Sequence, residues 1–188
     1  MKKGRLVVIS GPSGVGKTTL CRSLASRGIG RCAITCTTRA MRQGERDGVD
    51  YHFLSPGQFA EALSHGDFIE HATVHGQSYG IRRSTVDEAL GRGETLLLNI
   101  DVQGASTVRK LFPDALTIFV DAPDQALSTR LNARAKDSPG TVQKRLEEAH
   151  RERGRKTEFD HAVTNDDLAA CVGELEKLVI STRKEHHV

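Results

Sequence analysis

The sequence predicts an α/β protein built on a parallel sheet with helices on both faces, interrupted by a small mixed α/β insertion and topped by a helical lid. Three observations carry this. The runs Leu6-Val7-Val8-Ile9, Leu96-Leu97-Leu98 with its flanks, and Leu116 to Val120 are short and almost wholly apolar, as strands buried on both faces must be. Helical stretches with one apolar stripe alternate with them, the signature of a covered parallel sheet. Between about residues 35 and 93 the elements become shorter and more polar, which marks an insertion carrying a small sheet of its own.

In order, Arg5 to Ser10 reads as a strand running into a glycine-rich turn, and Thr18 to Arg27 as a helix with Leu20 and Leu24 on one face. Residues 32–36 read as a second strand, Thr37 to Asp50 as a polar loop, and Tyr51 to Leu54 as a strand. Ser55-Pro56 opens a helix that Gly66 closes, following cap preferences. Phe68 to Val74 follows as a strand, then a helix from Ser84, as cap, to Arg92, ended by Gly93. Thr95 to Ile100 is a strand ending in Asp101, Gly104 to Leu111 a helix, Leu116 to Val120 a strand, and Asp124 to Ala135 a helix. Thr141 to Arg153 is charged and helical, Ala162-Val163 a short strand, and Asp167 to Arg183 a helix with Leu168, Val172, Leu175 and Val179 on one stripe.

A chain of 188 residues fits one domain with a core large enough to need no disulfide or structural metal. It divides into a core (about 1–34, 94–125 and 160–188), the insertion (about 35–93) and the lid (about 126–159). A net charge of +3 is too mild to argue for nucleic acid. No apolar run is long enough to cross a membrane, and the basic start Met1 to Arg5 lacks the apolar core of a secretory signal; a cytoplasmic protein is expected. Cys21, Cys32, Cys36 and Cys171 have no metal-site spacing and read as reduced, partly buried thiols.

Gly11-Pro12-Ser13-Gly14-Val15-Gly16-Lys17-Thr18 satisfies G-x-x-x-x-G-K-S/T between a predicted strand and a predicted helix, and that context makes it a phosphate-binding loop. Its glycines let successive N–H groups curl around phosphates, and the helix start adds partial positive charge. Lys17 is placed to reach the β- and γ-phosphates of ATP, the Thr18 hydroxyl to ligate Mg²⁺, and Thr19 to add a hydroxyl beside it.

Such loops serve GTPases, ATPases, motors and small-molecule kinases alike. The stretch that discriminates is Thr35-Cys36-Thr37-Thr38-Arg39 with Arg42, Gly44-Glu45, Asp47-Gly48 and Tyr51-His52-Phe53. With Phe68-Ile69-Glu70, Ser78-Tyr79-Gly80, Asn99 to Gly104, Arg130-Leu131, Arg145-Leu146 and Asn165-Asp166-Asp167, it resembles the guanylate kinase family across essentially the whole chain. The resemblance implies a P-loop NTPase-type sheet and Mg²⁺-dependent phosphoryl transfer from ATP to GMP or dGMP. It implies no nucleic-acid or membrane partner, and a monomer or weak homodimer.

The resemblance also implies roles. Arg39, Arg42, Tyr51 and Tyr79 would hold the GMP phosphate, for which guanidinium forks and neutral hydroxyls are suited. Glu70 would read guanine by accepting from N1–H and N2–H, with Thr35 near the base and Asp101 between base and metal. Lys17, Arg39, Arg134 and Arg145 would neutralise the transferring phosphoryl, the last two from the lid, while Arg130 and Asn165 would lie on the adenine side. Arg151 and Arg153 read as solvated charge pairs. The chain departs from the family's usual pattern at Ile81, where a serine or threonine reads the guanine carbonyl, at Asn99 in place of aspartate near the metal, at Met41 for proline and at Ala135 for glycine.

Two alternatives remain on residues alone. One is a kinase of the same fold acting on another phosphorylated small molecule such as a ribose bisphosphate. The other is a non-catalytic phosphopeptide-binding module. The complete arginine–tyrosine–glutamate set opposes the first, and intact Lys17 and Thr18 oppose the second.

Overall fold

A computed structural model describes residues 3–74, 76–134 and 139–182; the side chains of 131–145 lie outside that description. Two sheets organise it. The larger has five parallel strands in the order β2 (Arg31–Cys32), β7 (Thr95–Asn99), β1 (Arg5–Ser10), β8 (Leu116–Asp121) and β9 (His161–Thr164). The smaller is mixed, in the order β4 (His52–Phe53), β3 (Cys36–Thr37), β6 (Gln77–Arg82) and β5 (Phe68–Val74).

Strand alternation builds the two cores. On β1, Val7 and Ile9 face a core shared with α1 (Lys17–Ser26) and α7 (Leu168–Ser181), while Leu6 and Val8 face one shared with α3 (Arg83–Gly91) and α4 (Val102–Leu111). On β7, Leu97 joins the first core, and Leu96 and Leu98 the second. A third, small cluster of Cys36, Phe59, Ala62 and Phe68 sits under the smaller sheet, where α2 (Pro56–Ser64) stacks Phe59 on Phe68 at a centroid distance of 4.6 Å. Helices α5 (Asp124–Arg134) and α6 (Pro139–Arg153) follow β8, and a 3₁₀ turn at Lys156–Glu158 leads to β9.

The expected strands and helices are present, with instructive differences. The single strand expected at 32–36 is divided: Arg31–Cys32 pairs with β7, whereas Cys36–Thr37 pairs with β4 and β6. One short apolar run serves both sheets, because the chain crosses from one to the other between them. Strand β6 was not legible. Gln77-Ser78-Tyr79-Gly80-Ile81-Arg82 has little apolar alternation, and it is held as a strand by pairing on both sides with β3 and β5. The Ser84 cap is absent, since β6 runs directly into α3, whose Arg83 N–H donates to Asp67 O at 2.7 Å.

Helix α4 starts two residues earlier than expected, because Asp101 is its N-cap and accepts from the N–H groups of Gln103 and Gly104 at 2.9 and 2.7 Å. By contrast α2 begins where the sequence places it, with a reciprocal Ser55–Gln58 capping box. On α7 the stripe shifts: Leu168, in the first position, is 41% exposed, and Cys171 is buried beside Val172, Leu175 and Val179. All four cysteines are free thiols.

Leu96 is fully buried between β1 and the α3/α4 face. Leu96→Ala is expected to lower unfolding free energy by about 2–5 kcal/mol, the range for a leucine deleted from a packed core. A shifted denaturant midpoint at unchanged m-value is the check.

Candidate active site

The C-terminal ends of β1, β7 and β8, the loop after β1, and the first turns of α1 and α4 form one rim, the usual ligand edge of such a sheet. Gly11 to Gly16 curls between β1 and α1. Lys17 crosses back over it, its Nζ donating to Gly11 O at 2.5 Å and Pro12 O at 3.0 Å. From the adjoining end of β7, Asn99 Nδ2 donates to Thr18 Oγ1 at 3.0 Å. The position that lacks the usual aspartate thus orients the Thr18 hydroxyl as a neutral donor.

Glu152, a residue that sequence reasoning did not single out, leans over this loop from the last turn of α6. Burial lifts its carboxyl above the ordinary range; Lys17 and the Ser13 N–H pull it down, while Asp101 and Glu148 push it up. Within the charged run of α6 nothing in the sequence distinguishes it from its acidic neighbours.

The other residues singled out by the sequence lie on and beside the smaller sheet. Arg39 is held in a fixed pose: its guanidinium donates to both oxygens of Glu45 at 2.8 and 3.0 Å and to Ala40 O at 2.7 Å. It lies over the rings of Tyr51 and Phe53 at 5.2 and 5.8 Å. Tyr79 meets Tyr51 edge-on at 6.3 Å, so Arg39, Tyr51 and Tyr79 form one cluster, as expected. Burial lifts the Tyr51 phenol above its ordinary range, which keeps its proton in place as a donor.

Glu45 organises the loop, since its carboxylate also accepts the Arg42 N–H at 2.8 Å. Burial works against its charge, but Arg39 and the Arg42 N–H outweigh that and hold it below the usual carboxylate range. Its spacing, three residues after Arg42 and six after Arg39, was the available signal for this role. The Arg42 side chain is exposed at the loop surface. Behind the loop, Thr37 and Thr38 are stitched to β6: Thr37 Oγ1 donates to Ser78 O at 3.0 Å and Thr38 Oγ1 accepts the Ser78 N–H at 2.9 Å.

Glu70, on β5, is only 4% exposed and faces the start of α4. A Cβ added to Gly104 would come within 2.4 Å of its Oε2, so the helix approaches this carboxyl as closely as glycine alone permits. Burial first, and then the charge of Asp101, push the Glu70 pKa from an ordinary 4.5 to about 8. Thr35 is buried at 8% exposure. Ile81, the register partner of Glu70, is wholly buried among Ile69, Val86 and Leu98, so this position is core rather than a polar reader.

Two expectations are altered. Asn165 lies under the phosphate loop with its Nδ2 on Val15 O at 2.6 Å, and Arg130 Nη1 donates to Asn165 O at 3.1 Å; both are thus engaged with the protein's own backbone. Arg153 is no solvated helix charge. Its Nε donates to Asp121 Oδ1 at 2.7 Å, and its Nη atoms reach Asp124 and Ala122 O, binding the end of α6 to the junction of β8 and α5. The charge-pair reading failed because the partners lie about 30 residues away rather than one helical turn. The charged helix expected from Thr141 begins at Pro139. Ala135, Asp137 and Ser138, and the side chains of Arg134 and Arg145, lie outside the described residues.

No group of three or more His, Cys, Asp or Glu among the described residues is arranged to hold a metal. Thr18 Oγ1 beside Asn99 suits an ion that keeps most of its waters and rides on nucleotide phosphates, as Mg²⁺ does. No described helix is long and apolar enough to cross a membrane.

A strand, a phosphate loop and a helix at the edge of a covered parallel sheet define a P-loop nucleotide-binding protein of the kinase kind. Residues 3–182 match the guanylate kinase family. The chain is 45% identical over 183 residues to a guanylate kinase of Methylobacillus flagellatus, covering 96% of this chain and 91% of that protein. It is 42% identical to one of Symbiobacterium thermophilum, covering 96% and 87%. Its fold is similar to the crystal structure of guanylate kinase from Anaplasma phagocytophilum, with TM-score 0.81, 25% identity, and coverage of 97% and 88%. The chain belongs to the guanylate kinase family.

The Glu70 shift carries a stability consequence. A carboxyl whose folded pKa lies above its unfolded value contributes stability that is fully present below the unfolded pKa and lost as pH rises through the folded one. Between about pH 4.5 and 8 the ligand-free protein is therefore expected to lose stability relative to Glu70→Gln, whose neutral amide does not titrate. Thermal unfolding of both proteins over that window measures the difference, which should grow with pH.

Proposed function

We infer that this chain transfers the γ-phosphoryl group of ATP to GMP, forming ADP and GDP. The observation that carries the reading is the pairing of a complete phosphate loop with a buried carboxylate and a preset guanidinium–tyrosine cluster. A ribose bisphosphate would leave Glu70 without a partner, and a phosphopeptide module has no use for Lys17 and Thr18. Family membership favours the kinase over both.

In this reading the Lys17 side chain and the N–H groups of Gly11 and residues 13–19 hold the ATP phosphates, and Arg39, Arg42, Tyr51 and Tyr79 hold the GMP phosphate. An oxygen of that phosphate attacks the γ-phosphorus, and the bond from phosphorus to the bridging β-oxygen breaks, its electron pair leaving with ADP. The acceptor phosphate is already largely dianionic near neutral pH, its second pKa being about 6. No base is needed, and alignment plus charge neutralisation does the work. Thr18 would hold Mg²⁺, which supplies neutralisation of phosphate charge. Arg134 and Arg145 are proposed to add positive charge from the lid, and residues 35–93 and 126–159 to act as acceptor region and lid around the core.

Glu70 is proposed to select guanine. Its carboxylate form accepts from N1–H and N2–H, donors that adenine lacks, and dGMP keeps both. Because the free carboxyl titrates near 8, binding GMP at neutral pH must expel a proton. With Ile81 in the core rather than as a polar reader, discrimination rests on Glu70.

ADP release measured with ATP and GMP, dGMP, AMP or ribose 1,5-bisphosphate is expected to favour the two guanine nucleotides; equal turnover of AMP would refute the guanine assignment. Lys17→Ala should abolish turnover. Glu70→Gln should lower kcat/KM for GMP about 100-fold, the scale for an unmade buried polar contact. Above about pH 7, where the acceptor phosphate is mostly dianionic, that ratio should climb toward pH 8 in the wild type and stay flat in Glu70→Gln.

A further inference from the structure

Asn165 follows β9 and is 3% exposed. Its Nδ2 donates to Val15 O at 2.6 Å. The opposite amide orientation would set two acceptor oxygens face to face, so the donor assignment is forced by chemistry. Its Oδ1 is buried with no hydrogen-bond partner among the described residues. This position therefore leaves one acceptor orphaned in order to deliver one donor to one carbonyl of the phosphate loop.

The residue is itself tightly held. Its N–H donates to Asp121 O at 2.8 Å, and its carbonyl accepts from Arg130 Nη1 at 3.1 Å. The loop rests directly on it, since a Cβ on Gly16 would meet Asn165 Nδ2 at 2.8 Å.

In a trans peptide the C=O and the following N–H point in opposite directions. Drawing the Val15 carbonyl down onto Asn165 thus turns the Gly16 N–H up, toward the concave side of the loop. Gly16 has φ 95°, and as glycine it rotates at little cost. Without a donor beneath it, that peptide is free to turn over and present carbonyl oxygen where phosphate must bind.

We propose that Asn165 is a positioning residue for the phosphate loop: by holding the Val15 carbonyl it fixes the Gly16 N–H as an anion donor, and so sets affinity for the polyphosphate of ATP. The inference deepens the kinase reading and rests on it for its kinetic arm. It differs from an adenine contact by Asn165, which would act on the base and leave the phosphates alone.

The test uses the full chain with Asn165→Leu, which keeps the volume and removes the donor, and Asn165→Asp, which regains a donor only when protonated. Both variants are expected to raise KM for ATP about tenfold or more, with KM for GMP unchanged within about twofold. Inhibition by inorganic tripolyphosphate should weaken by the same factor as ATP. In Asn165→Asp the ATP defect should shrink as pH falls, and in Asn165→Leu it should not. A rise for ATP without one for tripolyphosphate overturns the proposal in favour of an adenine contact. Equal losses for ATP and GMP, or folded variants with unchanged ATP binding, overturn it as well. Calorimetric titration of tripolyphosphate into wild type and variants reads the same effect without turnover, so a wild type that binds it but fails to phosphorylate GMP would count against the kinase reading and not against this one.

Discussion

A turn of backbone that gathers N–H groups at one point must dispose of the carbonyls of the same peptides elsewhere. That constraint organises the whole upper edge of the larger sheet. The carbonyls of Gly11 and Pro12 are taken by Lys17, that of Val15 by Asn165, and that of Gly16 by the N–H of Leu20. Each partner comes from a different direction, and each needs a buried framework to hold it. Placing β1 at the centre of five parallel strands supplies that framework, because β7 brings Asn99 to Thr18 on one side and β8 with β9 brings Asn165 under the loop on the other.

The inserted region obeys the complementary rule. Partly buried charges are costly to keep, and the fold holds them in two different ways. Arg39 stays ionised and is immobilised by Glu45 and by two aromatic faces. Glu70 is buried until its carboxyl favours the neutral form, with the helix N-terminus at Gly104 pressed against it. One group is preorganised by pairing in the loop after β3, and the other is made responsive by desolvation on β5, against the start of α4.

Helices α5 and α6 are tied to the same edge. Arg153 binds the end of α6 to Asp121 and Asp124, at the base of α5, and the N–H of Asn165 rests on the Asp121 carbonyl. A single strand end thus carries contacts to α6 and to the residue beneath the loop. Glu152, next to Arg153, brings a carboxylate over Lys17 and Ser13. The geometry of α6 is in this way coupled to the surroundings of the phosphate loop through adjacent residues.

Much of this was legible from residues alone. Apolar runs, stripe periodicity, the Ser55–Gln58 cap and the loop motif depend on local chemistry, and local chemistry is written in consecutive residues. The family pattern likewise brought Arg39, Tyr51, Tyr79, Glu70 and Lys17 into view. The tertiary structure decided what depends on partners far away in the chain. It split 32–36 between two sheets, made a strand of 77–82, turned Asp101 into a helix cap, converted Arg153 from a surface charge into a tether, and put Asn165 under Val15. Consecutive residues were enough to mark the phosphate-loop motif and the buried strands; which carbonyl, carboxylate or helix end each polar group faces came from the fold alone, because an interaction spanning tens to hundreds of residues has no periodicity to betray it.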